Sequence, residues 1–204
     1  MIDEINTIKT IVLDTVTRYE KMLSTFRPTQ PNGEYLEQNL ITNFAIAFVQ
    51  KFTNAKVYTE IPFISNINKG FWQNRLDLYI DNGDIGYIIE AKGSQQNDKL
   101  FSLIDDDIAR IKSIEMKKSF ESMAKTKMPN KIIGIVIADC WSGKNKKFSN
   151  QEQKWINYKT ELINFKNIIN LDTTFSNEIR LDKSDYKYYI LTGILKYPIW
   201  SING

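Results

Sequence analysis

Residues 75–92 read Arg-Leu-Asp-Leu-Tyr-Ile-Asp-Asn-Gly-Asp-Ile-Gly-Tyr-Ile-Ile-Glu-Ala-Lys. The dipeptide Asn82-Gly83 is a strong signal for a two-residue β-hairpin turn, because both central residues of a type I′ turn need a positive φ. A turn centred there places Asp77 opposite Ile88. Side chains alternate along a strand, so the apolar residues of the hairpin are expected on one face. The residues of this predicted face are Leu76, Leu78, Ile80, Ile85, Tyr87 and Ile89.

The opposite face of the predicted hairpin carries Asp77, Glu90 and Lys92. In this register Glu90 is the diagonal neighbour of Asp77, at roughly 7–8 Å, and side chains that lean together from there can share one metal ion. A three-residue turn would reverse the parity and separate the two carboxylates. Glu90 and Lys92 end a strand that is otherwise apolar, which is typical of a central strand covered on both faces. Charges there are costly unless they are paired or metal-bound; the alternative is a half-exposed hairpin with a solvated charged face.

The chain has 204 residues, of which 42% are hydrophobic and 25% are charged. This composition is typical of one folded domain with a substantial core and excludes a disordered chain. The formal net charge of +3 permits a nucleic-acid partner without demanding one. No apolar stretch reaches the roughly 20 residues of a membrane-spanning helix. The N-terminus lacks the features of a signal peptide, so we expect a cytoplasmic protein without a membrane partner.

The sequence contains no histidine and one cysteine, Cys140. The lack of histidine excludes catalytic triads, metal sites and general bases that depend on an imidazole. One cysteine excludes an internal disulfide and favours a reducing compartment. Cys140 follows an apolar run, which predicts a buried, inert thiol. Any chemistry must therefore use carboxylates, lysine, water and a metal ion.

Periodicity outside the hairpin predicts an α/β domain with a mixed sheet. The apolar run at 131–139 predicts a buried strand, and the long amphipathic helix before it makes a crossover unit. This strand is therefore expected to lie parallel to the strand that ends at Glu90. Pro62 indicates an edge strand or a strand end. The other expected elements are helices over 2–26, 34–52, 99–125 and 151–169 and strands over 56–64 and 188–195.

The element order and the spacing Asp77, twelve residues, Glu90-Ala91-Lys92 resemble the PD-(D/E)xK nuclease superfamily. Leu76 stands where the family name has proline. The resemblance covers about residues 34–139. It implies a restriction-endonuclease-like three-layer core, with a mixed central β-sheet flanked by helices. In a single domain over 1–204, residues 1–33 would add an N-terminal helix and residues 140–204 a C-terminal helix and strand.

The resemblance also implies roles for these residues. Asp77, Glu90 and the Ala91 backbone carbonyl would hold Mg²⁺, for which Mn²⁺ can substitute. Lys92 would orient or deprotonate the attacking water. The family commonly adds a glutamate from the helix before the sheet. Glu37 is preferred to Glu34 for this catalytic and metal-binding role, because the apolar stripe of that helix starts three residues after it.

Several other polar residues are weaker candidates. Arg75, Ser94 and Gln95 are predicted to bind substrate, although Arg75 is equally suited to an ion pair with Asp77 or Asp84. Consecutive helical residues point in different directions, so the run Asp105-Asp106-Asp107 is not expected to bind one ion. Asp106 or Asp107 is instead expected to reach Arg110. Lysines that could steer a nucleic-acid backbone are Lys117, Lys118, Lys125, Lys127, Lys131, Lys144, Lys146 and Lys147.

The sequence thus favours a metal-dependent phosphodiesterase, most simply a DNA endonuclease of restriction, defence or mobile-element type, with DNA preferred to RNA. A homodimer would suit double-strand cutting, but the sequence leaves the oligomeric state open. The alternatives are a catalytically silent nucleic-acid-binding or assembly module on the same fold, and an unrelated α/β domain with structural charges.

Overall fold

The structure is a computed structural model that describes residues 2–25, 37–62, 75–93, 99–124, 128–143, 151–169 and 186–201. Within these residues the chain forms five helices and seven strands. The helices are α1 (Ile2–Thr25), α2 (Glu37–Lys51), α3 (Leu100–Ile111), α4 (Ile114–Met123) and α5 (Gln151–Ile156). The strands are β1 (Lys56–Pro62), β2 (Arg75–Asp81), β3 (Ile85–Lys92), β4 (Lys131–Gly143), β5 (Leu162–Ile169), β6 (Tyr186–Leu195) and β7 (Trp200–Ser201).

The strands form one mixed sheet in the order β1-β2-β3-β4-β6-β5, and β7 pairs with the first residues of β4. β3 and β4 run parallel and are joined through α3 and α4, while the other strand pairs are antiparallel. The predicted crossover is therefore confirmed, and so is the α/β class with a mixed sheet. β1 is first in the strand order and ends at Pro62, as the missing amide hydrogen of proline suggested.

Helices cover both faces of the sheet. α1 and α2 pack on one face through a cluster that includes Tyr87, Ile89 and Ala91 of β3. α3, α4 and α5 pack on the other face, where Ile88 belongs to a second cluster. Gly86 through Ala91 are all buried, so the prediction of a central strand covered on both sides is confirmed. Leu76 departs from the predicted pattern, because it packs in the second cluster.

The turn of the hairpin lies one residue later than predicted. Asp81 pairs with Gly86 and Leu78 with Ile89, so the strands are shifted by two residues relative to the expected register. Gly83 has a φ of 97°, and the only non-glycine residues with positive φ in the described part of the chain lie elsewhere. A positive φ at the first central residue alone is the pattern of a type II′ turn centred on Gly83 and Asp84. A shift of two residues keeps the parity, so the paired residues 78–81 and 86–89 stay on their expected faces, and Leu76, which lies before them, does not.

Two predicted helices are wrong in part. The helix expected over 99–125 is divided into α3 and α4, because Ser113 accepts a hydrogen bond from the Met116 amide and caps a new helix there. The helix expected over 151–169 ends at Ile156, and residues 162–169 form β5 instead. β5 pairs with β6 along its whole length, so sheet pairing outweighs the helical spacing of its apolar residues.

None of the helices in the described ranges is long and apolar enough to cross a membrane.

Candidate active site

Asp77 reaches the end of β3 beside Glu90, and its negative charge acts on the Glu90 carboxyl group. The paired register of β2 and β3 runs from Asp81 opposite Gly86 to Leu78 opposite Ile89, and Asp77 and Glu90 are the next residues along the two strands. The amide of Ala91 donates a hydrogen bond to Asp77 Oδ2 at 2.8 Å, which fixes the aspartate against the end of β3.

Glu90 is buried, with 1% of its surface exposed. Its Oε1 accepts hydrogen bonds from Arg110 Nε at 3.0 Å and lies 2.7 Å from Arg110 Nη2. Burial, with the negative charges of Asp77 and Asp107, raises the pKa of Glu90 to about 9 against the opposing effect of Arg110. These surroundings favour the neutral form of Glu90 until a further cation compensates its charge.

Lys92 points to the same face as Glu90 and is held at both sides of its ammonium group. Its Nζ lies 2.8 Å from Asp107 Oδ2 and donates a hydrogen bond to the Ala91 carbonyl at 3.0 Å. Burial alone would lower the pKa of Lys92, but the Asp107 carboxylate outweighs it, helped by Glu37 and Asp77, and the net pKa is raised. Lys92 is a fixed cation in this arrangement.

Asp107 and Arg110 of α3 belong to the site although the sequence did not assign them to it. Asp107 Oδ1 lies 2.6 Å from Arg110 Nη2, which confirms the expected pairing within the helix. Asp107 is buried, and it lies seven residues after Leu100, on the apolar stripe that faces the sheet. The sequence feature that could have assigned Asp107 to the site is a carboxylate on the apolar stripe of a helix. We refer to Asp77, Glu90, Lys92, Asp107 and Arg110 as the Glu90 cluster.

Glu37 reaches the same region from the opposite helical layer. It begins α2, and its Oε1 accepts a hydrogen bond from the Gly93 amide at 3.1 Å, directly after β3. A carboxylate in the first turn is also favoured by the helix dipole. Glu34 lies outside the described residues, so the structure does not compare the two glutamates.

The other polar candidates lie apart from the Glu90 cluster or outside the described residues. Arg75 is exposed and lies 3.5 Å from Glu60. The predicted ion pair of Arg75 with Asp77 or Asp84 is therefore wrong. Asp105 contacts Tyr158 and Lys159, which leaves Asp107 as the member of the acidic run that reaches the cluster. Ser94 and Gln95 are outside the described residues, as are Lys125, Lys127, Lys144, Lys146 and Lys147.

Two lysines of the predicted basic stretches have internal partners. Lys131 lies 2.6 Å from Glu4, and Lys117 lies 3.8 Å from Glu121. Cys140 is buried, so the expectation of a buried thiol is confirmed, and burial raises the pKa of that thiol.

The chemistry of the donors suits a hard divalent cation. The described residues contain no group of three His, Cys, Asp or Glu side chains already gathered at metal-binding distance. Glu90 Oε2, however, is buried and has no hydrogen-bond partner among the described residues. A buried carboxylate oxygen without a partner is unfavourable. Carboxylate and carbonyl oxygens are the ligands that Mg²⁺ prefers, so the side chains present fit such an ion.

Comparisons of the chain with protein-family models, with curated proteins and with solved structures found no match.

Proposed function

We propose that the protein is a metal-dependent nuclease of the PD-(D/E)xK type, with a restriction-endonuclease-like core, that hydrolyses phosphodiester bonds of DNA. One observation carries the proposal: the amide of Ala91, the residue after Glu90, donates a hydrogen bond to Asp77 Oδ2 at 2.8 Å, so the two acidic residues come together at the end of β3. A lysine two residues after Glu90 lies on the same face, and Glu37 hydrogen-bonds to the next residue along the chain.

The residues that would hold a divalent ion are Asp77, Glu90 and the Ala91 carbonyl, with Glu37 at the edge of the site. A bound Mg²⁺ or Mn²⁺ supplies an acidified water and neutralises charge that develops on the phosphate. Asp77 contributes a carboxylate that the Ala91 amide orients, at 2.8 Å. Glu90 contributes the buried Oε2, which has no other partner among the described residues.

Lys92 acts in this proposal as a positioned cation and not as a base. Its raised pKa favours the charged form, since Asp107 lies 2.8 Å away. An ammonium group at the end of β3 stabilises negative charge on a pentacovalent phosphate and orients the attacking water. Catalysis should therefore show no loss of activity at low pH that is due to protonation of Lys92.

A second candidate function is a non-catalytic nucleic-acid-binding module on the same fold. It is favoured by the internal pairing of the cluster, because Glu90 contacts Arg110 and Lys92 contacts Asp107. Ion pairs that are only structural also perturb pKa values. This candidate predicts binding of nucleic acid without cleavage.

The test is cleavage of plasmid DNA, single-stranded DNA and RNA with Mg²⁺, Mn²⁺ or EDTA. Asp77→Asn keeps an acceptor for the Ala91 amide, and Lys92→Met keeps most of the side-chain volume. Both variants should lose at least about 100-fold in rate, in the range found when one charge-stabilising group is removed. Asp84→Asn in the hairpin turn is the matched control and should cut normally. Cleavage that survives in EDTA, or in Asp77→Asn, would contradict the proposal.

A further inference from the structure

Glu90 is already bound to a cation that belongs to the protein. Arg110 approaches Glu90 Oε1 through Nη2 at 2.7 Å and through Nε at 3.0 Å. The Glu90 side chain is completely buried, whereas 28% of the Arg110 side chain is exposed. Of the two partners, Arg110 is therefore the one with room to move.

Asp107 offers Arg110 a second partner. Its Oδ1 lies 2.6 Å from Arg110 Nη2, and its Oδ2 lies 2.8 Å from Lys92 Nζ. A buried cation that loses its only partner is strongly unfavourable. Because Asp107 stays bound to Arg110, the guanidinium can leave Glu90 without becoming an unpaired charge.

The charged side chains of the site have a negative net charge that one divalent cation would neutralise. When a bound metal ion holds Glu90 in its charged form, four carboxylates face two cations, and their net charge is two negative units. The carboxylates are those of Glu37, Asp77, Glu90 and Asp107, and the cations are those of Lys92 and Arg110. Buried charges need compensation, so this imbalance favours a doubly charged ion beside the existing pairs.

We propose that Arg110 is an exchangeable counter-ion of Glu90. In the metal-free protein the Arg110 guanidinium is paired with Glu90, and when a divalent ion binds Glu90 the guanidinium moves away and stays paired with Asp107. This inference rests on the proposed metal site. It predicts that the two residues of α3 have opposite effects on metal affinity. Arg110 competes with the ion for Glu90 and lowers the affinity, whereas Asp107 binds Arg110 and raises the affinity.

The test measures the dissociation constant of Mn²⁺ by calorimetry without nucleic acid. Arg110→Gln should bind Mn²⁺ at least about tenfold more tightly than the unchanged protein, because a positive charge beside the ion is gone. Asp107→Asn should bind at least about tenfold more weakly, because the site loses a negative charge and Arg110 stays on Glu90.

The matched control is Arg18→Gln, which removes an equal charge far from the site. Arg18 lies on α1 and hydrogen-bonds to Gln50, about 20 Å along α2 from Glu37 at the helical rise per residue. Its Mn²⁺ affinity should stay within twofold. If Arg110 only supports the structure, both α3 variants should bind more weakly, and that result overturns the inference while the proposed function stands. If neither the unchanged protein nor any of the variants binds Mn²⁺, both the proposed metal site and this inference are refuted.

A second measurement needs no substitution in the site. The chain has five arginines, so the Nε–H signals of a ¹⁵N-labelled sample are few, and replacing the four arginines other than Arg110 one at a time assigns the Arg110 signal by elimination. The Arg110 Nε–H donates to Glu90 and should move when Mg²⁺ is added, with the dissociation constant found for the ion. A signal that stays unchanged at saturating Mg²⁺ means that Arg110 keeps Glu90, and the exchange is refuted.

Discussion

The charge state of Glu90 depends strongly on its surroundings. Its pKa of about 9 in the folded protein lies above the value of 4.5 that is usual for glutamate, since burial disfavours the charged form. Between these values the folded state binds a proton that the unfolded state has released. The stability contributed by protonated Glu90 is therefore complete below pH 4.5 and is lost as the pH rises towards 9.

We accordingly expect Glu90→Gln to be more stable than the unchanged protein in EDTA at pH 8, and this advantage to shrink towards pH 5. The difference can change by at most about 1.4 kcal/mol per pH unit, the limit for one proton. Urea unfolding at pH 5, 6.5 and 8 measures it. Glu121→Gln, which removes an exposed carboxylate of α4, should give a difference that is flat with pH. A flat result for Glu90→Gln as well would show that Glu90 is ionised in the folded protein.

The sequence predicted the residues of the site better than their distances. Glu90 and Lys92 both contact α3, and Asp77 accepts a hydrogen bond from Ala91 between them, although the turn was misplaced by one residue. The contacts of Asp107 and Arg110 depend on how α3 packs on β3, and sequence spacing contains no such information. Only the position of Asp107 on the apolar stripe of α3 pointed inwards.

At the scale of elements, the β2–β3 turn sets the register of the hairpin that carries Asp77 and Glu90. Gly83 has a φ of 97°, and a Cβ built there meets no atom within 4 Å. Gly83→Ala should therefore lose about 1–2 kcal/mol through backbone strain alone. Gly83→Asn should lose less, because asparagine tolerates positive φ. Urea denaturation compares them, and an alanine variant as stable as the unchanged protein would contradict this turn.

The break between α3 and α4 rests on a single capping side chain. Ser113 Oγ accepts a hydrogen bond from the Met116 amide at 3.1 Å. Ser113→Ala should destabilise the protein by about 1 kcal/mol, the usual effect of losing an N-cap. Ser102→Ala is the control, since the Ser102 hydroxyl bonds only to a carbonyl in the exposed first turn of α3. Equal losses in the two variants would mean that the cap has no special role.

The elements that sequence reasoning placed well are those whose local pattern agrees with their neighbours. α1, β3 and β4 have unbroken apolar patterns and were predicted to within a few residues, except that β4 continues to Gly143. The prediction for β5 failed because its apolar spacing fits a helix, while its backbone pairs with residues of β6 that lie 19 to 33 residues further along the chain. Pairing with a distant strand leaves no trace in a local window.

At the scale of the whole molecule, the site lies where three layers meet at the end of β3. The sheet contributes Asp77, Glu90 and Lys92, α2 reaches it with Glu37 from one face, and α3 supplies Asp107 and Arg110 from the other. An ion that binds there connects both helical layers through the sheet. Binding should therefore stabilise the fold as a whole, because the unfolded chain has no such site.

At a free Mn²⁺ concentration of 100 times the dissociation constant, the gain is about 2.7 kcal/mol. For a chain of this size that corresponds to a rise in melting temperature of roughly 5–10 °C. Asp77→Asn should lose the rise, and Arg18→Gln should keep it. An equal rise in melting temperature in Asp77→Asn would mean that the ion binds elsewhere. If Mn²⁺ does not raise the melting temperature of the unchanged protein, the charged residues only support the structure. Differential scanning calorimetry with and without Mn²⁺ therefore tests whether the negatively charged site binds a divalent ion, independently of any nucleic-acid substrate.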